Sequence, residues 1–398
     1  MSDSPDIVVV GAGLSGLMAA LALSADAPGA GARVILLDAG DIDRAPADAR
    51  TTALAPSTVR MLRSLGVAMP ESGAMLGMRV GEGEADSPWQ FELPARSDAP
   101  LAFVIGNADL RAALLRRLDA VCVPRIGGSR VTALSIEGRA RLDLDTGETL
   151  APMLVVAADG RDSAVRRMAG LSVSRFDFGQ HALVCTVRHA EDHEGIALQR
   201  FQPVGAVASL PLAHPNRSQI IWSDRSASVR AAAQLSPGAL AALIDSRLWG
   251  ALEVTSVEGT PHTYPLLAQR AEALSAERVA LVGDAARVIH PLAGQGFNLA
   301  ARDIAALAET VGAARATGQD LGTAGLLGYQ RWRRTDETVL GTLTSALSAA
   351  PRGMSQLSRL VGHARRAAFA ATDALPVLHP FIRQEAAGET GTQPALLL

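Results

Sequence analysis

The stretch Asp6–Gly16 (DIVVVGAGLSG) runs from a short apolar segment straight into a glycine motif, and an Ala- and Leu-rich segment follows it. This is G-x-G-x-x-G in the setting that the motif requires, between a buried strand and a helix. There Gly11 permits a tight turn, Gly13 lets a pyrophosphate approach the backbone, and Gly16 lets the helix pack closely on the strand. The N-terminus of the helix offers free amides to the anion. We therefore expect a dinucleotide site rather than a turn with only a structural role.

Three further apolar runs share the character of the first one. The four runs are Ile7–Val10, Val34–Leu37, Met153–Ala158 and Val279–Val282. None of them alternates with polar residues, which is typical of strands buried on both faces of a parallel sheet. Each run is followed at once by a glycine or an acid, and ligands of open α/β sheets bind at the carboxyl ends of strands. The runs therefore predict one α/β domain with one site.

FAD and NAD share the glycine fingerprint, so a second segment has to decide between them. Asp38 lies about 20 residues beyond the glycine motif, where a carboxylate binds an adenosine ribose in either case. Residues 278–299 (RVALVGDAARVIHPLAGQGFNL) contain a strand end, a Pro-containing loop and a glycine pair before a helical pattern. Their candidate site residues are Gly283, Asp284, Pro291, Gly294, Gly296, Phe297 and Asn298. A dinucleotide held by such distant parts of the chain fits FAD better than a dissociating NAD.

The second segment carries its own predicted chemistry. Asp284, at a strand end, can bind a second sugar-like hydroxyl. The amides of Gly296 and Phe297 begin a helix, where they can stabilise negative charge on a ring oxygen. His290 either touches flavin or substrate or only packs the loop.

The composition excludes several classes of protein. The chain has 398 residues, is 48% hydrophobic and has a net charge of -3, so it is long enough for two packed domains, and binding of nucleic acid is not expected. Every basic residue is Arg, and this absence of Lys excludes Schiff-base chemistry, a pyridoxal-phosphate anchor and a Walker lysine. The two cysteines, Cys122 and Cys185, lie in apolar runs and are expected to be core residues.

Four segments together resemble the single-component flavoprotein aromatic hydroxylases, the p-hydroxybenzoate-hydroxylase-like class. Residues 278–299 are similar to the second FAD signature of that class, and the other three segments are 158–166 (ADGRDSAVR), 48–54 (DARTTAL) and 107–114 (NADLRAAL). The resemblance implies that Arg50 contacts the flavin nucleotide and that Arg111 reaches the FAD phosphates. It also implies an Asp159-Gly160 motif for FAD and NAD(P)H, and backbone packing of Val131 against adenine.

Within that class the nearest resemblance is to the ubiquinone-biosynthesis hydroxylases. It is carried by residues 189–205 (HAEDHEGIALQRFQPVG) and by Leu210-Pro211-Leu212. The resemblance implies hydroxylation of the aromatic ring of a polyprenylated phenol through a flavin C4a-hydroperoxide, with FAD as cofactor and NAD(P)H as reductant. The alternatives are a hydroxylase of another phenol, a polyprenyl reductase, and a non-catalytic FAD-bound scaffold of a quinone-biosynthesis complex. One departure is Arg287, where that family usually has His.

The expected fold is α/β: a Rossmann-like FAD-binding domain with an inserted β-rich substrate domain and C-terminal helices. The predicted FAD-binding domain is discontinuous and comprises residues 1–70, 101–178 and 262–325. Residues 71–100 and 179–261, with short β-type runs between turns, form the substrate domain, and 326–398 form a helical region. From about 296 the apolar residues follow a helical spacing.

The expected partners are a hydrophobic phenol, O₂, a membrane surface, quinone-biosynthesis proteins and a ferredoxin-like electron donor. The N-terminus is polar and enters a strand at once, so no secretion signal is expected, and no run of apolar residues is long enough to span a bilayer. These features predict a cytoplasmic protein. An excess of Arg over acids in residues 312–398 favours a peripheral position at the inner membrane.

Other residues are ambiguous on sequence grounds. His189 and His193 have a spacing that suits a metal only on a helix, and no third ligand accompanies them, so we expect no metal site. Arg166 has either a cofactor-domain role or a capping role. The aromatic residues Trp89, Phe91, Phe201 and Trp222 either line an apolar pocket or belong to the core.

Overall fold

The structure is a computed structural model that describes residues 5–24, 31–44, 48–82, 91–95, 99–290, 295–334, 384, 387–389, 391 and 393–398. Pro291 and Gly294, two of the predicted site residues, lie outside the described residues, as does Trp89. The backbone of Phe91 is described but its side chain is not. Most of the predicted C-terminal helical region also lies outside the described residues.

Strands and helices alternate in the first part of the chain. In chain order they are β1 (Ile7–Val10), α1 (Leu14–Leu23), β2 (Val34–Leu37), β3 (Thr51–Leu54), α2 (Pro56–Ser64), β4 (Gly73–Met75), β5 (Gly77–Glu82), β6 (Phe91–Pro94), β7 (Ala102–Gly106), α3 (Asn107–Ala120), β8 (Arg125–Ile126), β9 (Val131–Glu137), β10 (Arg139–Leu144), β11 (Thr149–Leu150), β12 (Leu154–Ala157) and α4 (Ala164–Met168).

Long antiparallel strands dominate the second part, and a long helix follows them. The elements are β13 (Val173–His189), β14 (Ile196–Phe201), β15 (Ala206–Pro211), β16 (Arg217–Arg225), α5 (Ser226–Ala232), α6 (Pro237–Arg247), β17 (Val254–Ala271), β18 (Ser275–Ala276), β19 (Val279–Leu281), β20 (Arg287–Val288) and α7 (Gly296–Thr317). Residues 323–334 are also helical.

The four apolar runs of the sequence become four adjacent parallel strands. They lie in the order β19-β12-β1-β2 within a six-stranded sheet, with β18 and β8 at its edges. Ile7, Val8 and Val9 of β1 are fully buried, as are all four residues of β12. A strand without polar alternation is stable only where both of its faces are covered. The predicted α/β fold is confirmed, and the four strand ends meet at one edge.

The second sheet has eight strands in the order β20-β17-β13-β16-β15-β14-β5-β6. The β-type runs expected within residues 179–261 include parts of β13, β15 and β16. Strands from residues 77–94 complete the sheet at its far edge, so two separate stretches of the chain form it. The exact domain boundaries given above remain a prediction. Two smaller sheets, β11-β10-β9 and β3-β7-β4, flank these two.

Two of the ambiguous aromatic residues belong to the core, whereas one of the two cysteines does not. Trp222 is 1% exposed in the core beneath α5 and α6, and Phe201 packs with Val80 and Leu93 in another core cluster. The expectation that both cysteines are core residues is wrong for Cys122, which is exposed, because it follows the end of α3 with a positive φ of 54°. Such turn positions lie at the surface, whatever the apolar character of their neighbours.

Arg287, where the ubiquinone-biosynthesis hydroxylases usually have His, belongs to a buried ion cluster. Two carboxylate oxygens of Asp303 on α7 accept hydrogen bonds from Arg287 Nη1 at 2.8 and 2.9 Å. Arg333, on the helix of residues 323–334, donates from Nε to the same carboxylate at 2.6 Å. Asp303 is fully buried, and an ion buried without its partners costs several kcal/mol. Arg287 therefore joins β20 to two helices.

The end of the chain packs against the first part of the fold. Leu397 is fully buried in the main core, and its carbonyl accepts a hydrogen bond from Arg60 Nε of α2 at 3.1 Å. The amide of Ala395 donates to Glu309 Oε2 of α7 at 2.9 Å. The last residues therefore hold α2 against α7. Leu398, by contrast, is 78% exposed.

These two neighbouring leucines make a matched pair. We expect Leu397→Asp to lower the free energy of unfolding by about 2–5 kcal/mol, since it creates a cavity and buries a charge. Leu398→Asp adds the same charge at an exposed position and should change that free energy by less than about 0.5 kcal/mol. Urea unfolding followed by circular dichroism measures both, and equal effects would contradict the packing described here.

Candidate functional site

The first glycine motif is shaped by two close approaches and one open position. Gly11 has a φ of 106°, and a Cβ on it would lie 2.4 Å from the carbonyl oxygen of Ala158, just after β12. A Cβ on Gly16 would lie 1.7 Å from the carbonyl oxygen of Gly11. Gly13 differs, because a Cβ there would meet no atom of the described part of the chain within 4 Å. Gly11 and Gly16 are thus required by packing, whereas Gly13 borders open space.

Asp38 fixes the rim of this loop. Its carboxylate accepts hydrogen bonds from the amide of Ala12 at 2.6 Å and from the amide of Gly40 at 2.7 Å. Asp38 follows β2 directly, and Ala12 lies inside the glycine motif. The acid therefore occupies the position that the sequence predicts for a ribose-binding carboxylate, and it also orders the loop beside it.

The second motif lies directly against the first one. Gly283 has a φ of 60°, and a Cβ there would lie 2.7 Å from Ser15 Oγ at the start of α1. The next residue, Asp284, has a solvent-accessible side chain but is otherwise surrounded by protein, and this partial desolvation raises the pKa of its carboxyl. The charges of Arg50 and Arg161 act in the opposite direction. The two distant segments therefore form one site.

A cavity of about 520 Å³ opens between these segments. The predicted site residues that line it are Gly13, Asp38, Arg50, Arg111, Gly160, Asp284, Gly296 and Phe297. Sequence reasoning did not single out several others, which are Ala12, Ser15, Asp48, Thr52 and Asn107. Asp48 and Asn107 belong to the two Arg-containing segments quoted above. Their place in these segments was the sequence signal that could have identified them as site residues.

Other predicted residues lie behind the cavity wall and support it. Asp159 accepts a hydrogen bond from the amide of Ala164 at 2.8 Å and so caps α4. Asn298 Oδ1 accepts from the amide of Ala55 at 2.9 Å, which joins the start of α7 to the corner between β3 and α2. Val131 is buried at the start of β9. The hydrogen bonds of Asp159 and Asn298 thus fix elements beside the cavity.

Arg166 joins two motifs rather than lining the cavity. It is 1% exposed, and its guanidinium donates to the carbonyl of Ala285 at 2.8 Å and to that of Arg161 at 2.9 Å. Ala285 follows Asp284, and Arg161 follows Gly160. This contact fixes the Asp-Gly loop against the second motif.

Arg111 is a buried cation directed at the glycine motif. Its guanidinium donates to the carbonyl oxygens of Ala12 at 2.9 Å and Ile42 at 2.7 Å, while its buried Nε has no hydrogen-bond partner among the described residues. Desolvation lowers the pKa of this guanidinium, and the charges of Asp38 and Asp43 partly offset that effect. A dinucleotide phosphate would supply the missing negative charge. Together with the open space beside Gly13, this donor makes the cavity fit FAD.

Arg50 connects the cavity with the eight-stranded sheet. Its Nε and Nη2 each donate to a different oxygen of Asp48 at 2.8 Å, and these hydrogen bonds raise the pKa of the guanidinium. Burial alone would raise the pKa of Asp48, but the bonds from Arg50 and Asn107 lower it overall. The guanidinium carbon lies 5.3 Å from the centre of the Tyr264 ring on β17. Arg50 thus connects the cavity lining with the eight-stranded sheet.

The histidines have distinct environments. His290 is 3% exposed, its ring lies edge-on to Phe178, and burial lowers its pKa to about 4. His189 and His193 bond to carbonyl oxygens and Ser218 at the far end of the sheet. Among the described residues, no group of three His, Cys, Asp or Glu side chains could hold a metal ion.

Comparison with known proteins identifies this arrangement. The sequence profile of the FAD-binding-domain family matches residues 4–335. The chain is 34% identical to the ubiquinone hydroxylase UbiL of Rhodospirillum rubrum, over 99% of this chain and 92% of that protein. It is 31% identical to the 3-demethoxyubiquinol 3-hydroxylase of Escherichia coli, over 85% and 88% of the two chains.

Solved structures show the same fold at lower identity. The structure of p-nitrophenol 4-monooxygenase PnpA from Pseudomonas putida superposes with a TM-score of 0.78 at 19% identity, and covers 98% of this chain and 100% of its own. PqsL of P. aeruginosa, as a complex with 2-aminobenzoylacetate, gives a TM-score of 0.75 at 22% identity, over 90% and 99% of the two chains.

Two glycines of the motif should respond differently to the same substitution. Gly13→Ala places a methyl group in the open space of the cavity, so we expect normal thermal stability and at least about tenfold weaker FAD binding. Gly16→Ala forces α1 away from Gly11, so we expect a fall in melting temperature of the protein without FAD. FAD titration by fluorescence quenching and thermal unfolding measure the two effects. Unchanged FAD affinity in Gly13→Ala would contradict the site.

His290 should leave a signature in the pH dependence of stability. The native state keeps this ring neutral down to about pH 4, whereas an unfolded histidine binds a proton near 6.5, so its contribution is complete above pH 6.5 and is lost as the pH falls towards 4. In His290→Gln, the slope of unfolding free energy against pH should decrease in this window by up to about 1.4 kcal/mol per pH unit. Identical slopes in urea titrations would show that the ring is not buried as described.

Proposed function

Because the chain belongs to the ubiquinone-biosynthesis hydroxylase family of FAD-dependent aromatic monooxygenases, we propose that it hydroxylates the ring of a polyprenylated phenol. The enzyme is an oxidoreductase with FAD as cofactor. In the proposed reaction one atom of O₂ enters the ring, the other leaves as water, and NAD(P)H supplies the two electrons.

One observation carries this proposal: two glycine motifs from opposite parts of the chain line a single cavity, and Arg50 of that lining lies over a ring of the eight-stranded sheet. Gly13 and Asp284 both line it, and Arg50 joins it to Tyr264. A pure dinucleotide-binding domain needs only the first motif. A hydroxylase also needs a place for the reactive ring of the cofactor and a surface that binds the substrate. The second motif would supply the first, and the eight-stranded sheet the second.

The residues at the first motif are proposed to hold the dinucleotide. The backbone at Gly13 would face the pyrophosphate, and the buried guanidinium of Arg111 would supply positive charge to it. Asp38 would accept hydrogen bonds from the ribose while it keeps its bonds to the loop amides. FAD, once bound, supplies the two-electron chemistry and the activation of O₂.

The residues at the second motif are proposed to control the site of reaction. Gly296 and Phe297 begin α7, a helix of 22 residues, whose first amides and positive dipole end favour negative charge nearby. Asp284 would bind a hydroxyl of the sugar-like chain. The buried His290 and the partly buried Phe178 would exclude water from the inner end of the eight-stranded sheet, and His290 stays neutral there at ordinary pH.

Contact with a membrane surface is proposed because a polyprenylated phenol resides in lipid. Among the described residues, no helix is long and apolar enough to cross a bilayer. The excess of Arg in residues 312–398 supports attraction to anionic lipid. A protein of the quinone pathway and a ferredoxin-like electron donor are the other proposed partners.

The test is turnover by the purified holoenzyme. We expect a prenylated phenol to accelerate both NADPH oxidation and O₂ uptake at least about tenfold, with a hydroxylated phenol detected by mass spectrometry. A reduced photosensitiser should replace NADPH if the physiological donor is ferredoxin-like. The Arg111→Met variant should lose FAD and with it turnover.

The alternatives give different results in the same assay. Equal stimulation by phenols without a tail would indicate a hydroxylase of another substrate. Reduction of a prenyl double bond without O₂ uptake would indicate a reductase. Flavin that is reduced by the photosensitiser but never yields a hydroxylated product, with any phenol, would indicate a scaffold and overturn the proposal.

A further inference from the structure

The face of β17 that meets Arg50 carries a row of apolar side chains. Side chains two residues apart on a strand share a face, so Tyr264, Leu266 and Ala268 lie in line on β17. Pairing with β13 places Phe176 directly opposite Ala268, at the outer end of this row. Leu266 packs with Ala182 in a buried cluster at the inner part. The row thus continues from an exposed residue into the interior.

An aromatic ladder follows the same course. β13 shifts its register between Asp177 and Gln180, and Phe178 lies within that shift. The ring centres of Phe176 and Phe178 are 5.0 Å apart and those of Phe178 and His290 are 4.8 Å apart, both edge to face. Phe176 is 56% exposed, while His290 is 3% exposed. Edge-to-face ring contacts therefore connect the surface with the interior.

The inner end of the row lies next to a side chain that lines the cavity. Tyr264 lies under the guanidinium of Arg50, and Arg50 lines the cavity. The polar side chains along the way face each other, because His290 Nε2 lies 3.4 Å from Gln180 Oε1. A ligand in this row would therefore meet mainly hydrocarbon and ring surfaces, which suit a chain without hydrogen-bonding groups.

We propose that these side chains form an apolar track (Tyr264, Leu266, Ala268, Phe178 and Phe176) that holds the isoprenoid tail of the substrate. In this assignment the phenol head lies at the cavity and the tail leaves along β17 towards the surface. Phe176 is then a residue that determines specificity for tailed over tail-less phenols. The proposal rests on the proposed function and names the part of the substrate that this surface binds.

The length of the track limits how much of the tail it holds. Tyr264 and Ala268 are four residues apart, which corresponds to roughly 13 Å along a strand. On the same face, the residue two places beyond Ala268 is Arg270, which is exposed and charged, so the apolar surface ends there. The track therefore accommodates only the first few isoprene units. Affinity should rise with tail length until the tail reaches Phe176 and should change little beyond it.

The experiment measures binding of three phenols to the FAD-loaded enzyme without reductant, through the change in flavin absorbance. The phenols carry no tail, a geranyl tail or a farnesyl tail. For the wild type we expect at least about tenfold tighter binding of the farnesyl phenol than of the tail-less phenol. Phe176→Ser should remove about five- to tenfold of that gain and leave the tail-less phenol unchanged. Phe176→Leu keeps an apolar side chain and should restore most of the gain.

Leu235→Ser is the matched control. Leu235 is also an exposed apolar residue, at 41%, but it lies in the connection between α5 and α6 rather than on the track. This variant should bind all three phenols as the wild type does. Thermal unfolding of each variant accompanies the titrations, and we expect Phe176→Ser and Leu235→Ser to change the melting temperature equally little.

Several results would overturn the track. One is an equal loss of affinity for all phenols in Phe176→Ser, and another is an unchanged farnesyl gain. A large fall in melting temperature with unchanged selectivity would mean that Phe176 packs against the protein's own chain. A wild type that binds the tail-less phenol without any gain from a tail would reject the track and leave a phenol hydroxylase intact. A wild type that binds no phenol would reject the proposed function itself.

Discussion

The close approach of Gly283 to Ser15 is the constraint on which the rest of the site depends. A side chain at Gly283 would collide with Ser15 at the start of α1, and the positive φ of Gly283 turns the chain towards Asp284. The approach is possible because β19, β12 and β1 are neighbours in one parallel sheet, so residues far apart in sequence end at the same edge. Two further contacts join strand ends in the same way. Gly11 lies against the backbone of Ala158, and Arg166 connects the Asp-Gly loop with the carbonyl of Ala285. Three strand ends are locked together, and one cavity results.

The second constraint joins this cavity to the eight-stranded sheet. Arg50 is held by two hydrogen bonds from one side and lies over the Tyr264 ring on the other. A cation over an aromatic ring is worth about 0.5–2 kcal/mol, so this contact orients the sheet without locking it. The buried cluster of Arg287, Asp303 and Arg333 gives a firmer connection on the far side, because it cannot separate without leaving a charge unpaired in the core.

Much of this organisation could be predicted from local sequence. The glycine spacing, the four apolar runs and Asp38 are consecutive signals, and the strands and the loop were found where those signals lie. The Asp48 network with Asn107 could not be derived in the same way, since its members become neighbours only through the pairing of β3 with β7. The same holds for Tyr264, which is an unremarkable residue of a β-type run until Arg50 is placed over it. Cys122 was misjudged because apolar neighbours do not reveal a turn with positive φ.

The cavity, once FAD is bound in it, is proposed to support the insertion of one oxygen atom from O₂ into a phenol ring. The most direct measurement is turnover of a prenylated phenol by the purified holoenzyme under isotopically labelled O₂, with mass analysis of the product. We predict one labelled oxygen atom in each hydroxylated ring, coupled to reductant oxidation. A product without label, or label that enters only from water, would contradict the account and leave the protein as a flavin-binding fold with a different reaction.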